Sequence, residues 1–429
     1  VSGLSRRRFM QIMSASVAMT PLVGCRWPEE KIVPFAKRPE GFKPGTPVQF
    51  ATAFEMGHNV LGVLATSYDG RPIKIEGNPD FALSNGATNT FAQASVLNLY
   101  DSDRSRSVLL DGNTASWDDF NTYAKTFKGL KKGGLAVLVG ATTSPSLKSQ
   151  LQKLSKRYKG SKIYKWEPVC RVNEMKGAVQ SFGTPVKTQL DLSQAKVVVD
   201  FNANTLQDHP TALQNSKGFA KGRDPESGHM NRLYVFENSF TITGGMADHR
   251  FPTHASEIGA EVWALAAELV FNSGISMPTV DRADLKKNHH HGNKHISAIA
   301  KDLAHNKGHS LIQVGLDQPA EIHALCNAMN EALGNQGSTI SYLPFDRPEF
   351  GSVKELTAEL DAGNIDTLLI LGGDPAYNTP ADINFAESMS KATTIHLSEK
   401  VNATSKLANW HVPQTHYLES WGDAQAWDG

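Results

Sequence analysis

Cysteine is scarce in this sequence, and its scarcity excludes one large class of redox site. The 429 residues include three cysteines, Cys25, Cys170 and Cys326, and no two of them have C-x-x-C spacing. A zinc or iron–sulfur centre with thiolate ligands needs about four cysteines. The chain alone therefore cannot build such a centre.

An excess of charge of either sign is also missing. Lys plus Arg and Asp plus Glu each number 43, which gives a formal net charge of zero. Proteins that bind nucleic acid usually carry a positive field that attracts the phosphate backbone. We therefore expect no nucleic-acid partner.

Long apolar runs are absent after the first 25 residues. A helix that crosses a bilayer needs roughly 20 consecutive apolar residues, and no later run approaches that length. The apolar content is 40%, which is typical of a globular chain. At roughly 150 residues per domain, the length predicts two or three lobes.

A twin-arginine export pattern lies near the N-terminus. Arg6, Arg7 and Phe9 occupy the positions that define the pattern, and a moderately apolar stretch follows over residues 12–23. We expect residues 1–24 to be a signal for export. The alternative is a short basic amphipathic start followed by a buried cysteine.

The apolar stretch ends in a lipobox, Leu22-Val23-Gly24-Cys25, so we expect lipid on Cys25. Each buried CH₂ of an acyl chain contributes about 0.8 kcal/mol, and two or three chains anchor firmly. The expected location is the periplasmic face of the bacterial inner membrane. Residues 25–47 contain several prolines and should form an extended tether: Pro28, Pro34, Pro39, Pro44 and Pro47.

Residues 48–110 alternate short β-like runs with turns. The runs Val60–Ala65 and Pro72–Ile75 flank a turn at Tyr68-Asp69-Gly70. This pattern predicts a small β-rich lobe at the start of the body.

From residue 111 to 429, short apolar runs precede segments of helical periodicity, which predicts parallel α/β layers. Leu135–Val139 leads through Ser144-Pro145, an N-cap and first-turn pair, to a helix with Leu147, Leu151 and Leu154 on one face. Further buried strands are predicted at Lys196–Asp200, Leu233–Phe236, Ser310–Gly315 and Thr367–Leu371.

Two groups of histidines are candidate sites, and neither has a convincing ligand set. Asp248, His249 and His254 lie in one short segment, where Asp and His commonly serve as hydrogen-bond partners. The histidines of Lys286–His295 should lie in a solvated surface loop, because three adjacent histidines cannot converge on one metal. We assign no catalytic, cofactor-binding or metal-binding residue.

Other reactive side chains are expected to be structural. Cys326 lies on the apolar face of a predicted helix and should be a packed thiol, and Cys170 lies in no recognisable ligand motif. Glu419 and Asp423 are expected to belong to a buried network at a lobe boundary.

Several segments, in order along the chain, resemble the molybdopterin oxidoreductase family. They are Asp69–Asp80 continuing to Gly86, Leu99–Arg104, a looser copy at Thr243–Pro252, Leu371–Pro375, Ala408–Pro413 and Glu419–Asp423. The resemblance implies that family's multi-lobe α/β fold, with Rossmann-like parallel sheets and a small N-terminal β-rich lobe.

The sequence departs from the family where cluster-bearing members place cysteines. Such members have three cysteines before the segment matching Asp69–Asp80 and a fourth after the glycine matching Gly86. Here Phe50–Leu64 and Ala87–Phe91 contain no cysteine. The resemblance therefore implies a scaffold without the cluster, and we expect no cofactor in this chain.

The chain is also similar to the large periplasmic subunit of alternative complex III, which oxidises quinol and passes electrons to a periplasmic carrier. The similar segments are Lys31–Phe35, Pro39-Glu40, Pro44–Pro47, Phe50–Ala53, Thr243–Gly245, Ala247–Arg250 and Thr415–Asp423. In that subunit a cofactor-free molybdopterin-type region precedes a ferredoxin-like region with iron–sulfur clusters. The similarity covers the cofactor-free region.

This similarity implies a structural role without catalysis by the chain itself. The expected partners are a ferredoxin-like iron–sulfur domain or subunit, polytopic quinol-binding membrane subunits and haem c subunits, which would carry the clusters and haems. One alternative is a molybdopterin-containing subunit of a periplasmic sulfur-compound reductase, with phosphates near Gly372-Gly373-Asp374. A second is a periplasmic ligand-binding lipoprotein with its ligand between two lobes.

Overall fold

The computed structural model describes residues 43, 45–129, 133–226, 228–289, 294–345 and 350–429. The predicted export and lipidation residues, Arg6, Arg7, Phe9 and Cys25, lie outside these ranges, as does most of the predicted tether. Residues Pro47–Gly429 form one compact unit.

Strands of two to ten residues build the sheets. In chain order they are β1 (Val48–Met56), β2 (Asn59–Tyr68), β3 (Arg71–Gly77), β4 (Val108–Leu110), β5 (Asn113–Ala115), β6 (Leu135–Val139), β7 (Lys162–Lys165), β8 (Val186–Leu190), β9 (Val197–Phe201), β10 (Arg223–Asp224), β11 (His229–Met230), β12 (Arg232–Glu237), β13 (His249–Pro252), β14 (Ser310–Val314), β15 (Ile340–Pro344), β16 (Gly351–Ser352), β17 (Thr367–Leu371), β18 (Thr393–Ser398) and β19 (Trp410–Pro413).

Helices of four to 14 residues connect many of the strands. In chain order they are α1 (Thr90–Leu99), α2 (Trp117–Ala124), α3 (Pro145–Arg157), α4 (Val172–Phe182), α5 (Ala212–Lys221), α6 (Ile242–Gly245), α7 (Ile258–Phe271), α8 (Arg282–Asn288), α9 (Lys294–His305), α10 (Ala320–Ala332), α11 (Val353–Asp361), α12 (Pro375–Asn378), α13 (Phe385–Ser388) and α14 (Ala403–Leu407). Short 3₁₀ helices cover Lys125–Gly129, Ala381–Ile383 and Met389–Lys391. Within the described ranges, no helix combines the length and the apolar character that crossing a bilayer requires.

A three-stranded antiparallel sheet, β1-β2-β3, begins the body. Val63 and Ile75 are fully buried on one of its faces and pack against Ala92 of α1. On the opposite face Gln49, Ala51, Lys74 and Glu76 are exposed, whereas Val60 and Gly62 of the central strand are buried. The strands predicted at residues 60–65 and 72–75 are confirmed.

An eight-stranded sheet has the order β16-β7-β6-β17-β18-β19-β4-β5. The first six strands in this order, β16-β7-β6-β17-β18-β19, run parallel to one another. The last two, β4 and β5, complete one edge in antiparallel orientation. The strand β4 falls within the range predicted for the small lobe, but it belongs to this sheet. It does so because Val108 is buried against Ile395, Trp410 and Val412.

A four-stranded parallel sheet, β13-β12-β9-β14, is formed by residues that lie along the chain between two strands of the larger sheet. The chain leaves the larger sheet after β7 and returns to it at β16. Between these points it also builds the antiparallel pairs β15-β8 and β10-β11. The strands on either side of the insertion are therefore spatial neighbours in the larger sheet.

Helices cover both faces of the four-stranded sheet, so its central strands are apolar on both sides. Every residue of β9 is buried. Val199 and Phe201 pack in the core with α7, α9 and α10, whereas Val198 packs against Phe219 on the other face. The predicted strands at 196–200, 233–236, 310–315 and 367–371 are each confirmed within about one residue.

Local capping signals also behave as predicted. The Ser144 side chain accepts a hydrogen bond from the backbone N–H of Leu147, and Pro145 is the first residue of α3. Leu151 of this helix is buried. Gly334 follows α10 with a φ of +70°, a conformation that favours glycine after a helix end.

The surface loop predicted for Lys286–His295 is partly wrong. Lys286 belongs to α8 and His295 to α9, because Leu285 and Ile296 draw these segments onto the core as helices. The His295 ring packs 4.7 Å from the ring of Phe251. His290 and His291 lie outside the described residues.

Candidate functional site

A cleft lies at the carboxyl ends of the parallel strands β6 and β7. Ligands of open α/β sheets usually bind at this end of the strands, where loops and helix N-termini present backbone amides. The cleft has a volume of about 760 Å³, counting the part open to solvent. Its lining includes Thr142, Lys148, Lys165, Lys187 and Trp427.

Asp423 occupies the N-terminus of α3. Its Oδ2 accepts a hydrogen bond of 2.9 Å from the backbone N–H of Ser146, and its Oδ1 accepts one from the Ser144 hydroxyl. The bonds from Ser144 and Ser146 hold the pKa of Asp423 below its ordinary value. A carboxylate therefore sits where the helix dipole favours a bound anion.

Two more carboxylates bind the loop between β6 and α3. The backbone N–H of Thr143 donates to Oε1 of Glu55, a residue of β1. The N–H of Ala141 donates to Oε2 of Glu167, which follows β7, at 3.1 Å. The amides of this strand-end loop are thus bonded to side chains of the same chain.

Trp427 fills one side of the cleft and is only 5% exposed. Its Nε1 donates a 2.7 Å hydrogen bond to the carbonyl of Thr188 in β8, and the Lys187 Nζ donates to the carbonyl of Trp427 at 2.9 Å. The Arg171 guanidinium lies 5.3 Å from the centroid of the indole, within cation–π distance. The indole thereby joins the C-terminal segment to the inserted part of the fold.

Arg171 also belongs to a buried polar network. Its Nη1 lies 2.6 Å from Oε2 of Glu174, whose Oε1 accepts from the Thr188 hydroxyl. Burial raises the pKa of Glu174, but Arg171 and His209 outweigh burial and bring it below the ordinary value. Burial, with the Arg171 charge, lowers the pKa of His209 to about 3. The network therefore contains an ion pair and a neutral imidazole.

The loop Gly372–Pro375 is tied to α14. Gly372 and Gly373 have φ values of +73° and +74°, which favour glycine. The Asp374 Oδ1 accepts from the backbone N–H of Thr404 at 2.8 Å and from its hydroxyl at 2.6 Å. Like the carboxylates of the β6–α3 loop, Asp374 therefore accepts hydrogen bonds from another part of the same chain.

A second buried imidazole group lies on β18 and β19. The Nδ1 atoms of His396 and His411 lie 2.8 and 3.0 Å from the same hydroxyl, that of Ser405. Burial, with the neighbouring His411, lowers the pKa of His396 to about 4. Both rings are packed between elements of the larger sheet and do not line the cleft.

Asp248, His249 and His254 do not form a centre. Asp248 pairs with Arg223 and accepts from the backbone N–H of Leu233, whereas the His249 ring stacks 5.0 Å from that of Tyr234. His254 is exposed. Within the described ranges, no three His, Cys, Asp or Glu side chains converge closely enough to hold a metal ion.

The packed thiol predicted for Cys326 is confirmed. The side chain is 5% exposed, and its Sγ donates to the carbonyl of Ile312 at 3.2 Å. Burial raises the pKa of this thiol to about 12, so it stays protonated at neutral pH. Cys170 is a half-buried free thiol.

Glu419 and Asp423 do belong to hydrogen-bonded networks, but the predicted burial is wrong. Glu419 pairs with Arg104 and accepts from the backbone N–H of His416 at 2.9 Å. Both carboxylates are exposed, because residues 419–423 all lie at the protein surface.

Comparison with known proteins identifies a distant relative. No protein-family model matches the chain. Over 237 residues the chain is 27% identical to the molybdopterin-binding-like subunit of a menaquinone reductase from Nitratidesulfovibrio vulgaris. The aligned region covers 52% of this chain and 32% of that protein. The chain is thus a distant homologue that matches about a third of the length of this relative.

Solved structures reveal the fold class. Acetylene hydratase from Pelobacter acetylenicus matches with a TM-score of 0.61 and 11% identity, covering 85% of this chain and 61% of that chain. The formyltransferase/hydrolase complex from Methylorubrum extorquens matches with a TM-score of 0.45 and 14% identity, over 72% of this chain and 86% of that chain. The first match confirms the predicted fold of the molybdopterin-oxidoreductase type.

A phosphate-bearing molybdopterin cofactor, which this fold class implies, does not fit the loop between β6 and α3. Phosphate oxygens would need the N–H groups of Ala141, Thr143 and Ser146, and each of these already donates to a carboxylate. A phosphate placed at any of these amides would also lie close to the negatively charged carboxylate that the amide binds, which is electrostatically unfavourable. The N–H donors are therefore present, but each already donates a hydrogen bond to a carboxylate of the same chain.

Sequence patterns did not identify Glu55, Glu167 or Trp427 as parts of this site. The sequence does identify a helix N-terminus here, because a predicted strand is followed by Thr142-Thr143 and then by the N-cap and first-turn pair Ser144-Pro145. The first backbone N–H groups of a helix have no partner within the helix. The carboxylate that bonds Thr143 is 88 residues away in sequence, so local pattern cannot reveal it.

We expect Trp427→Ala to lower the free energy of unfolding by about 3–5 kcal/mol, because it removes a buried indole and leaves the Thr188 carbonyl unpaired. Trp421→Ala is the matched control, since Trp421 is fully exposed at 104% and should change stability by less than about 0.5 kcal/mol. Chemical denaturation measures both variants. Equal losses would contradict the placement of the two side chains.

The buried histidines predict a loss of stability in mild acid. The pKa of His209 is about 3 and that of His396 about 4, against 6.5 ordinarily. Below that ordinary pKa the unfolded chain binds protons that the folded chain does not, so the free energy of unfolding falls from pH 6.5 toward pH 4. Urea denaturation at pH 7.5, 6.5 and 5.5 measures the slope. His396→Asn should flatten it, and an unchanged slope would show that His396 is not buried in its neutral form.

Proposed function

We propose that this chain is a non-catalytic structural subunit, or domain, of a quinol-oxidising respiratory membrane complex. The observation that carries the proposal is a strand-end cleft whose loop amides bind the chain's own carboxylates. The distant homology to a menaquinone reductase subunit supports a respiratory role related to quinol oxidoreduction. In this proposal the chain's partners carry the electrons.

The finer proposal is a place in alternative complex III. There the chain would pack against a ferredoxin-like iron–sulfur domain or subunit, beside polytopic quinol-binding membrane subunits and haem c subunits. Electrons would pass from quinol through those clusters and haems to a periplasmic carrier. The support is the set of sequence segments similar to the large periplasmic subunit of that complex, together with the relative's description as one subunit of a reductase.

The proposed location is the periplasmic face of the inner membrane. The support is the sequence alone: Arg6, Arg7 and Phe9 match the twin-arginine pattern, and Cys25 ends a lipobox. Lipid on Cys25 would hold the chain beside its membrane partners.

The alternative of a molybdopterin-containing reductase subunit has less support. It places phosphates near Gly372-Gly373-Asp374, where Asp374 already accepts two hydrogen bonds from Thr404. A ligand-binding lipoprotein has the cleft in its favour, but nothing in the lining selects a ligand.

Metal analysis and absorption spectra of the purified chain test the main proposal. We expect neither stoichiometric molybdenum nor the iron–sulfur band at roughly 400 nm, because the strand-end amides already bind carboxylates and the described residues include few thiols. Membranes solubilised gently should yield the chain together with cluster-bearing and haem-bearing subunits. Molybdenum or a cluster in the isolated chain would overturn the proposal.

Replacement of the lipobox cysteine tests the anchor. We expect Cys25→Ser, expressed without the partner subunits, to appear in the soluble periplasmic fraction, since the acyl chains can no longer attach. Cys170→Ser is the control and should leave the protein in the membrane fraction. A Cys25→Ser protein that stays on membranes with full processing would refute lipid anchoring at this position.

A further inference from the structure

The C-terminal segment Gln414–Gly429 contacts all three regions of the fold that surround the cleft. The Tyr417 hydroxyl lies 2.7 Å from the Ser95 hydroxyl in α1, beside the small sheet. Asp423 binds the N-terminus of α3 in the larger sheet, and Trp427 binds β8 in the inserted part. The segment is therefore held at several independent points.

Opposite charges are balanced around the cleft. Three lysines line it, and three carboxylates bond the loop between β6 and α3; they are Lys148, Lys165 and Lys187, and Glu55, Glu167 and Asp423. The two sets cancel in formal charge. An incoming phosphate would meet a region without net positive charge, although basic side chains and backbone donors are both present.

We infer that Asp423 and Glu55 act as an intramolecular anion that occupies the backbone amides at and directly before the start of α3, with Trp427 holding the segment in place, so that a phosphate cannot bind there. The inference rests on the proposed cofactor-free role and adds its physical cause. The donors for a phosphate are intact, and the chain's own carboxylates exclude the ligand. Evolutionary loss of the donors themselves is not required.

Removal of the two carboxylates would release a defined set of donors. The N–H groups of Thr143 and Ser146 and the hydroxyl of Ser144 would lose their anionic acceptors. All three belong to the start of α3, a helix of 13 residues, or to the loop directly before it. The released donors would lie at the positive end of the helix dipole, near the lysines of the cleft. They should then attract a small polyanion.

The test compares the affinity for inorganic pyrophosphate of the full wild-type chain and of the double variant Glu55→Ala/Asp423→Ala. Isothermal titration calorimetry should detect no binding to the wild-type chain at millimolar pyrophosphate. The variant should bind at least about tenfold more tightly than that limit. Glu76→Ala/Asp118→Ala removes two exposed carboxylates outside the cleft and should bind no better than wild type, which excludes an effect of net charge alone.

Two results would overturn the inference: pyrophosphate binding to the wild-type chain, or a folded double variant without gained affinity. If the double variant does not fold, amide hydrogen exchange on the wild-type chain decides. Slow exchange at Thr143 and Ser146 supports occupied amides, and exchange at the rate of free amides refutes them. Molybdenum in the isolated chain would defeat the proposed function itself, whereas a molybdenum-free chain whose variant gains no affinity defeats this inference alone.

Discussion

The carboxylate of Asp423 at the N-terminus of α3 is the contact around which the site is organised. A strand-end loop and a helix start place several N–H groups in one small region, and the first N–H groups of a helix have no partner within the helix. Asp423, Glu55 and Glu167 satisfy these donors from three separate parts of the chain. Because each bond crosses between elements, satisfying the loop also fixes the C-terminal segment and the small sheet against the larger sheet.

The fold type and the hydrogen bonding of the strand-end cleft are two separate observations. The parallel sheets agree with a fold of the molybdopterin-oxidoreductase type. Function resides in the site and not in the fold, and here the donor groups serve internal bonds. Asp374 shows the same use of a strand-end carboxylate on a neighbouring strand, where it binds Thr404.

The buried titratable groups have structural explanations. Glu174 pairs with Arg171 beside Trp427, and His209 and His396 are held neutral by burial. Catalytic acids and bases usually have pKa values near the working pH and face a cavity. These imidazoles have pKa values of about 3 and 4 and are enclosed by packed side chains. Both imidazoles make hydrogen bonds inside the packed structure, to Thr211 and to Ser405. Protonation of either ring would place a buried charge there and would destabilise the folded state.

Elements with local causes could be predicted from the sequence. Runs such as Lys196–Asp200 predict buried strands, Ser144-Pro145 predicts a helix start, and the position of Cys326 on an apolar helix face predicts a packed thiol. The insertion of the four-stranded sheet between β7 and β16, and the meeting of Glu55 with Thr143, became evident only from the folded chain. Periodicity and capping depend on near neighbours along the chain, whereas a hydrogen bond across 88 residues depends on how the sheets pack.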